Sequence, residues 1–373
     1  VNYRAEYLVS TQSGEKGELM SPKTIWLLVA LAVCNYPLAA QTYYVGTCKP
    51  GSFPTISAAV NSSSVTPGST IKICAGFYKE QVIISKDLTV QGLDGPSAVQ
   101  SGSLGSGAVI FDVTSVETAN SAVFASNPIL KVTFAPIIWV TAGTVNIQNI
   151  SVYGAGGYPG GAKEVGFYYS SGASGTLNHV GFLGQGSAVG IWAENANNSQ
   201  TSVTIENSYS DDGIVAGSLV PGKLAVKITG NQVSLTAPDL AYGIYVYQVS
   251  GIVETNFVSE RGPQEEANSS PGIEVDGVAA TDVTISGNSI QTTDAWEEED
   301  FGLDWTGILI NVDGPTVKSN KISGANIGID MGCHDATVSG NTVMLAFAAL
   351  NHVPAGFKGV NSLYNNWVSI YSC

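Results

Sequence analysis

The sequence predicts an all-β chain wound as a right-handed single-stranded parallel β-helix, a solenoid, with a short N-terminal capping helix. Three observations carry this. A phrase returns through the second half, clearest as Val283-Thr-Ile285-Ser-Gly-Asn288-Ser-Ile290 and Val338-Ser-Gly-Asn341-Thr-Val343, with variants around Asn231, Asn256 and Asn320. A second phrase, Gly-Ile followed by alternating residues, starts at Gly190, Gly213, Gly243, Gly272, Gly307 and Gly328. No helical period competes with either phrase. One pair of phrases makes one coil, and self-similarity at a period of roughly twenty residues or more is how a solenoid shows itself in sequence.

The residue types fit that reading. Val283, Ile285 and Ile290 are β-branched and spaced for strands, while Gly287 and Asn288 fall where a sharp corner needs a residue that tolerates positive φ. Stacked coils would run as parallel strands about 4.8 Å apart. Asparagines recurring at one corner can form a hydrogen-bonded ladder that satisfies buried backbone groups. An antiparallel sandwich with Gly/Asn turns is the competing fold, but it does not need the same residue at the same corner.

Residues 1–19 read as an upstream extension and residues 20–40 as a secretory signal. Met20-Ser-Pro-Lys23 leads into the apolar run Thr24 to Val33 and then the small residues before Gln41. That run is too short to hold a permanent membrane span. Residues 41–373 are then one β-helix domain, because nothing like a linker interrupts the phrases and solenoids grow without splitting. Charged residues at 12% and apolar residues at 44% leave ample material for a core. With Cys34 removed in the signal, Cys48, Cys74, Cys333 and Cys373 remain, an even number suited to an oxidising compartment. Pairing Cys48 with Cys74 and Cys333 with Cys373 would staple the two ends, where a solenoid core opens to water.

The first mature segment reads Phe53-Pro-Thr-Ile-Ser-Ala-Ala-Val60, then Gly68-Ser-Thr-Ile71-Lys-Ile-Cys-Ala-Gly76-Phe-Tyr78-Lys-Glu80-Gln-Val82, then Lys86-Asp-Leu88-Thr-Val-Gln-Gly92. Over about forty residues it resembles the N-terminal cap and first coil of pectin methylesterases and related secreted, pectin lyase-like β-helix proteins. The resemblance implies the fold, with a capping helix at Ile56 to Val60, a strand from Thr70 to Cys74 and a corner at Gly76 to Glu80. It does not imply esterase chemistry. The Gln-Asp-Thr and Asp-Phe-Ile-Phe-Gly phrases of those enzymes are absent, and Ser210-Asp211-Asp212-Gly213 is only a partial echo of the Gly-Asp-Asp phrase of polygalacturonase-like hydrolases.

Candidate chemistry follows from the Gly-Ile strands. Alternation places Trp192, Tyr245, Glu274, Leu309 and Asp330 in one outward column, with Glu194, Tyr247, Asp276 and Asn311 in the next. Aromatic faces at Trp192, Tyr245 and Tyr247 suit sugar rings, and the carboxyl groups suit acid/base work or Ca²⁺. A polar outer face with scattered Tyr and Trp is also what any solenoid presents. Two long insertions, Ser259 to Ser270 and Gln291 to Thr306, fall between the asparagine corner and the Gly-Ile strand, so they would wall one side of this strip. The first carries Arg261, the only arginine after the signal and the base a lyase would need, or else a solvated charge. The second carries Asp294, Trp296, Glu297, Glu298, Glu299, Asp300, Asp304 and Trp305, an acidic run flanked by tryptophans. Glu274 with Asp276, or Asp276 with Asp304, are the candidate catalytic pairs, and Trp296 and Trp305 are further candidate sugar platforms. No bound metal is assigned, Ca²⁺ being the one cofactor the acidic loop could take. His334, at a corner beside Cys333, reads as structural.

A net charge of −15 disfavours anionic partners. Nucleic acid is set aside for want of a basic patch. The sequence therefore predicts a secreted, monomeric, carbohydrate-active β-helix protein. It would act on a plant-type or microbial polysaccharide as hydrolase or lyase, or bind glycans or surfaces without catalysis.

Overall fold

In the computed structural model, residues Ala40–Cys373 form a single compact unit. The structure describes residues 40–93, 107–111, 125–126, 129, 133–154, 163–170, 172–184, 188–235, 242–260, 271–279, 281–292 and 305–373. The expected upstream extension and signal, residues 1–39, lie outside them. Among the described residues, no helix is long and apolar enough to cross a membrane.

The chain is a right-handed parallel β-helix. Three sheets run its length, with each coil contributing one strand to each sheet in turn. One full coil reads Val283–Ser286 in the first sheet, Ser289–Thr292 in the second and Thr306–Asn311 in the third, before Thr316–Lys318 returns to the first. Its register on the coil before is parallel in all three sheets, with Ile285 on Val253, Ile290 on Val258 and Ile308 on Ile273. Those residues point inward and are fully buried, so the β-branched positions of the phrases become columns of one continuous core.

The Gly-Ile phrase opens the third-sheet strand. An added Cβ at Gly243 would meet the Val258 side chain at 2.7 Å, and one at Gly272 would meet Ile290 at 2.7 Å. Glycine recurs because the second sheet's core side chains already fill that space.

The asparagine corner divides its work between two residues. The left-handed conformation falls at Asn207, Gly230, Thr255, Gly287, Ser319 and Gly340, with φ between 52° and 68°. The residue that follows, Ser208 at the first of these corners and an asparagine at the others, is not left-handed, which corrects the expectation for Asn288. Its side chain builds the ladder instead. Asn231, Asn256, Asn288, Asn320 and Asn341 each donate through Nδ2 to Oδ1 of the next rung at 2.9 Å, ending on Asn361. Each Oδ1 also accepts the backbone N–H of the preceding asparagine, and the second Nδ2 proton goes to a strand carbonyl such as that of Ile228 or Val253. The side-chain amides and the backbone N–H groups of these buried asparagines are thereby satisfied.

At the N-terminal end, the helix Ile56–Asn61 buries Ile56, Ala59 and Val60 over the first coil. Thr55 caps it by accepting from Ala58 N–H at 3.1 Å, and the Glu80 carboxylate accepts from Ile56 and Ser57 N–H, each at 2.8 Å. Gly76–Lys79 is a strand of the second sheet rather than the expected corner, because Tyr78 turns inward and donates its hydroxyl to the Cys74 carbonyl at 2.9 Å. Both predicted disulfides form, Cys48–Cys74 with Cα atoms 5.7 Å apart and Cys333–Cys373 with 5.9 Å.

Candidate active site on the outer face of the third sheet

The third-sheet registers align Trp139, Tyr168, Trp192, Val215, Tyr245, Glu274, Leu309, Asp330 and Asn351 in one outward column. Glu194, Gly217, Tyr247, Asp276 and Asn311 form the next. The column is common to all these residues, but their surroundings are not.

In the N-terminal half the outer face is covered. The strand Thr133–Val140 is joined on its other side by the short antiparallel Ala125–Ser126. Ala125, Phe134, Val165, Tyr168, Val189, Trp192, Val215 and Tyr245 pack into a second apolar cluster outside the coil. Phe134 meets Trp192 edge-on, with ring centroids 4.6 Å apart. Trp192 is only 2% exposed, so it is not the sugar platform that the alternation suggested. Glu194 is buried beside it and accepts from the Tyr168 hydroxyl at 2.5 Å. Burial pushes the Glu194 carboxyl up to about 7, against the lowering effect of the Tyr168 bond.

Beyond Val215 the face carries chemistry. Tyr245 donates its hydroxyl to Asp276 Oδ2 at 3.1 Å, and Asp276 Oδ1 accepts from Gly277 N–H at 2.6 Å. Asn311 Nδ2 donates to Glu274 Oε1 at 3.0 Å. Burial, reinforced by the charge of Asp276, raises the Glu274 carboxyl to about 7, with the Asn311 bond opposing. Tyr242 stacks on Tyr245 with centroids 4.7 Å apart, and Tyr247 stacks on Tyr245 with centroids 6.5 Å apart and ring planes 28° from parallel. Burial and the two carboxyl groups also raise both Tyr242 and Tyr245, so their phenols keep their protons and remain donors. Glu274 and Asp276 stand two apart on one strand, a backbone spacing of roughly 7 Å. The arrangement is a carboxyl group half-protonated at neutral pH, a second carboxyl held by a phenol, and a row of aromatic rings beside them.

The other predicted residues divide. Trp305 is 6% exposed and belongs to the main core, with Cζ2 3.4 Å from where a Gly272 Cβ would stand. It precedes the strand at a corner where in–out alternation no longer applies, and it offers no face to a ligand. Arg261, Trp296 and Asp304, with the rest of the acidic run from Asp294 to Asp300, lie outside the described residues. In chain order, the segment with Arg261 directly precedes the strand that carries Glu274 and Asp276, and the segment with Trp296 and Asp304 directly precedes the next strand of the third sheet. His334 Nδ1 contacts Asp313 at 3.2 Å at the disulfide corner.

Two acidic features that the sequence reading noted, Asp330 in the outward column and the Asp211-Asp212 pair, were given no role there. Asp330, further along the outward column, is held by His352 Nδ1 at 2.9 Å and by Asn351 Nδ2 at 3.0 Å. Asp211 and Asp212 are buried side by side at the corner between the second and third sheets, Asp211 accepting from Gly184 N–H at 2.8 Å. Burial lifts Asp211 to about 6, and burial together with the Asp211 charge lifts Asp212 to about 8. The doubled aspartate and its partial echo of a hydrolase phrase signalled the pair, but neither says anything of burial. Among the described residues no three His, Cys, Asp or Glu side chains converge on a metal-binding position. A groove of about 760 Å³ lies elsewhere, between Thr337–Ser339 and the segment from Pro354 to Val360. Its Asp313 already accepts the Asp335 N–H at 2.8 Å, and no carboxyl pair stands opposite an aromatic row there.

No family model matches this chain, and no curated protein matches it. Solved structures do resemble it. DFA-IIIase from Arthrobacter chlorophenolicus A6, in complex with GF2, is 14% identical over 88% of this chain and 94% of its own, with a TM-score of 0.45. The GH136 lacto-N-biosidase from Eubacterium ramulus is 12% identical over 94% of this chain and 70% of its own, with a TM-score of 0.42. The pectin methylesterase PemA from Erwinia chrysanthemi is 12% identical over 74% and 90%, with a TM-score of 0.34. The likeness is one of fold alone.

Proposed function

We propose that this chain is a secreted carbohydrate-active β-helix enzyme that hydrolyses a neutral or methyl-esterified polysaccharide along the Tyr245–Glu274–Asp276 strip. The observation that carries the reading is the Glu274 carboxyl, raised to about 7 beside Asp276 on an aromatic-lined row. Glu274 gives its proton to the glycosidic oxygen as the bond to the leaving sugar breaks. Asp276 takes a proton from the water that attacks the anomeric carbon. The two backbone positions are roughly 7 Å apart, a spacing from which the carboxyl groups can take up the roughly 6.5–9.5 Å of inverting hydrolysis, where a water must fit between them. Tyr245, itself 8% exposed and packed in the apolar cluster, fixes Asp276 in place rather than serving as a platform, and the partly exposed Tyr242 and Tyr247 beside it are the rings left to meet a sugar. The net charge of −15 repels a polyuronate, which favours an uncharged substrate. Two disulfides and the resemblance of the first coil to secreted proteins support an extracellular setting.

The test is a panel of neutral, methyl-esterified and anionic polysaccharides, with and without Ca²⁺, read for new reducing ends and for unsaturated products. New reducing ends that vanish in Glu274→Gln and Asp276→Asn support the reading. Unsaturated ends would overturn it in favour of a lyase and point to Arg261. Binding without turnover would overturn it in favour of a glycan-binding module.

A further inference from the structure

The turn from Tyr209–Ser210 of the second sheet to Ile214–Ser218 of the third carries two adjacent aspartates that the proposed catalysis does not use. Asp211 is 7% exposed and Asp212 4%. Both carboxyl groups reach back to Gly184 on the coil before. Asp211 Oδ1 accepts the Gly184 N–H at 2.8 Å, and Asp212 Oδ2 stands where a Gly184 Cβ would be. Only glycine at 184 leaves the second carboxyl room. The nearby Ser210 hydroxyl does not serve the pair, since it donates to the Gly213 carbonyl at 3.0 Å.

Asp212 is the exception among the buried acids of this face. Glu274, Asp276 and Asp330 each receive a hydrogen bond, whereas Asp212 Oδ2 is buried and receives none. Among the described residues, no lysine, arginine or histidine pairs with Asp212 either. An ionised carboxylate buried in this way is among the costliest groups a protein can hold. Protonation removes the charge but makes the oxygen a donor in want of an acceptor. Asp211 does not supply one, because it acts on Asp212 as a like charge. A cation meets both demands, neutralising the pair and drawing on the oxygen that no donor reaches.

We propose that the Asp211–Asp212 turn is a Ca²⁺ site, its two carboxylates holding the ion against Gly184. Carboxylate ligands without sulfur or imidazole select a hard cation. Two carboxylates suffice where backbone carbonyls and water complete the shell. A net charge of −15 draws cations to the surface from which such an ion enters. The turn also bears the next coil: the Tyr242 carbonyl occupies the place of a Gly213 Cβ, and Ile214 N–H donates to the Gly243 carbonyl at 2.9 Å. An ion at Asp211 and Asp212 therefore braces the turn on which Tyr242 rests. This site is distinct from the acidic run between Asp294 and Asp304, to which the sequence assigned Ca²⁺, and it stands independently of the proposed catalysis.

The experiment is calorimetric titration of the EDTA-stripped 373-residue chain with CaCl₂ at pH 8, over roughly 10⁻⁶ to 10⁻² M, the span from sensor to extracellular affinities. Asp212→Asn, Asp211→Asn and a control pair in the acidic run, Glu298→Gln with Asp300→Asn, are measured beside it, and melting temperatures are read in EDTA and in Ca²⁺. The parent should bind Ca²⁺ and melt higher with it. Asp212→Asn should lose that rise, yet in EDTA melt no lower than the parent, which separates a lost ion from a lost fold. Asp211→Asn, whose amide oxygen can keep the Gly184 bond, should weaken binding by at least about tenfold. The control pair should keep both the binding and the rise. A parent without heat or melting shift would overturn the proposal. So would a response that both aspartate variants retain, one that the control pair loses, or one that NaCl reproduces at matched ionic strength.

Discussion

On the outer face of the third sheet, the coils between Thr133 and Ser218 and those between Ile244 and Val353 share one column and one register, yet they reach opposite ends. In the first stretch Phe134, Tyr168, Trp192 and Val215 are sealed into an apolar cluster, and Gly217 leaves room that Ile129 approaches. In the second, Glu274 and Asp330 occupy the places of that column and Asp276 stands in the next, each held by a hydrogen-bond donor. Strand alternation fixes which way a side chain points. What lies over it decides whether that side chain becomes core or chemistry. Glu194 and Glu274 make the point in one residue type: both are raised to about 7, the first by burial against the cluster and the second by burial plus a neighbouring carboxylate.

The largest effect should separate the halves outright. Glu274→Gln is expected to cut turnover by about 10²–10⁴-fold, the usual range for a general acid, with the melting temperature at pH 5 unchanged. Trp192→Ala should do the reverse, costing about 3–5 kcal/mol of stability for a buried aromatic in denaturant unfolding, while the folded fraction keeps its kcat. If Trp192→Ala abolished turnover in the folded fraction, the division between the two halves would fail.

Acidity offers a finer comparison. Glu194, Glu274, Asp211 and Asp212 all bind protons more tightly folded than unfolded, so their contribution to stability is complete near pH 4 and is lost as pH rises through about 6 to 8. The protein should therefore melt at a higher temperature at pH 5 than at pH 8. Glu194→Gln and Glu274→Gln should each flatten that slope by a similar amount, whereas only the second should remove the fall in activity on the alkaline side. Asp212→Asn should raise stability at pH 8 by roughly 2–4 kcal/mol, read from chemical denaturation at both pH values.

The smallest effect concerns the boundary itself. Tyr245 touches both the apolar cluster and Asp276, and Tyr245→Phe keeps the packing while deleting the bond to the carboxylate. A fall in kcat of roughly tenfold or less is expected, matching the net worth of about 0.5–1.5 kcal/mol for one ordinary hydrogen bond, with a melting-temperature shift of no more than a few degrees.

Much of this was legible before any coordinates. The asparagine ladder and the outward column follow from phrases that recur at fixed places in the coil, since a two-residue period carries in–out information from one strand to the next, and both disulfides follow from four cysteines set two at each end. The covering of Trp192 was not legible, because it comes from a pairing of Ala125 with Phe134 that belongs to no repeat. Trp305 misled for a related reason: alternation holds within a strand and lapses at the corner before it. The pairing of Asp330 with His352 joins adjacent coils across 22 residues, and nothing in the local pattern marks it.

The ladder has a consequence for how such a chain can change over generations. Its rungs are separated by 25, 32, 32, 21 and 20 residues, yet every rung closes at 2.9 Å. The pitch is thus set at one corner while the length of each turn is left free at another. A lineage can lengthen or replace a segment between the second and third sheets and still land the next asparagine on the last, because added loop length costs closure entropy only logarithmically. New recognition loops can then be tried one turn at a time without renegotiating the scaffold, which gives a sequence of this kind wide room to alter what it recognises while its frame stays still.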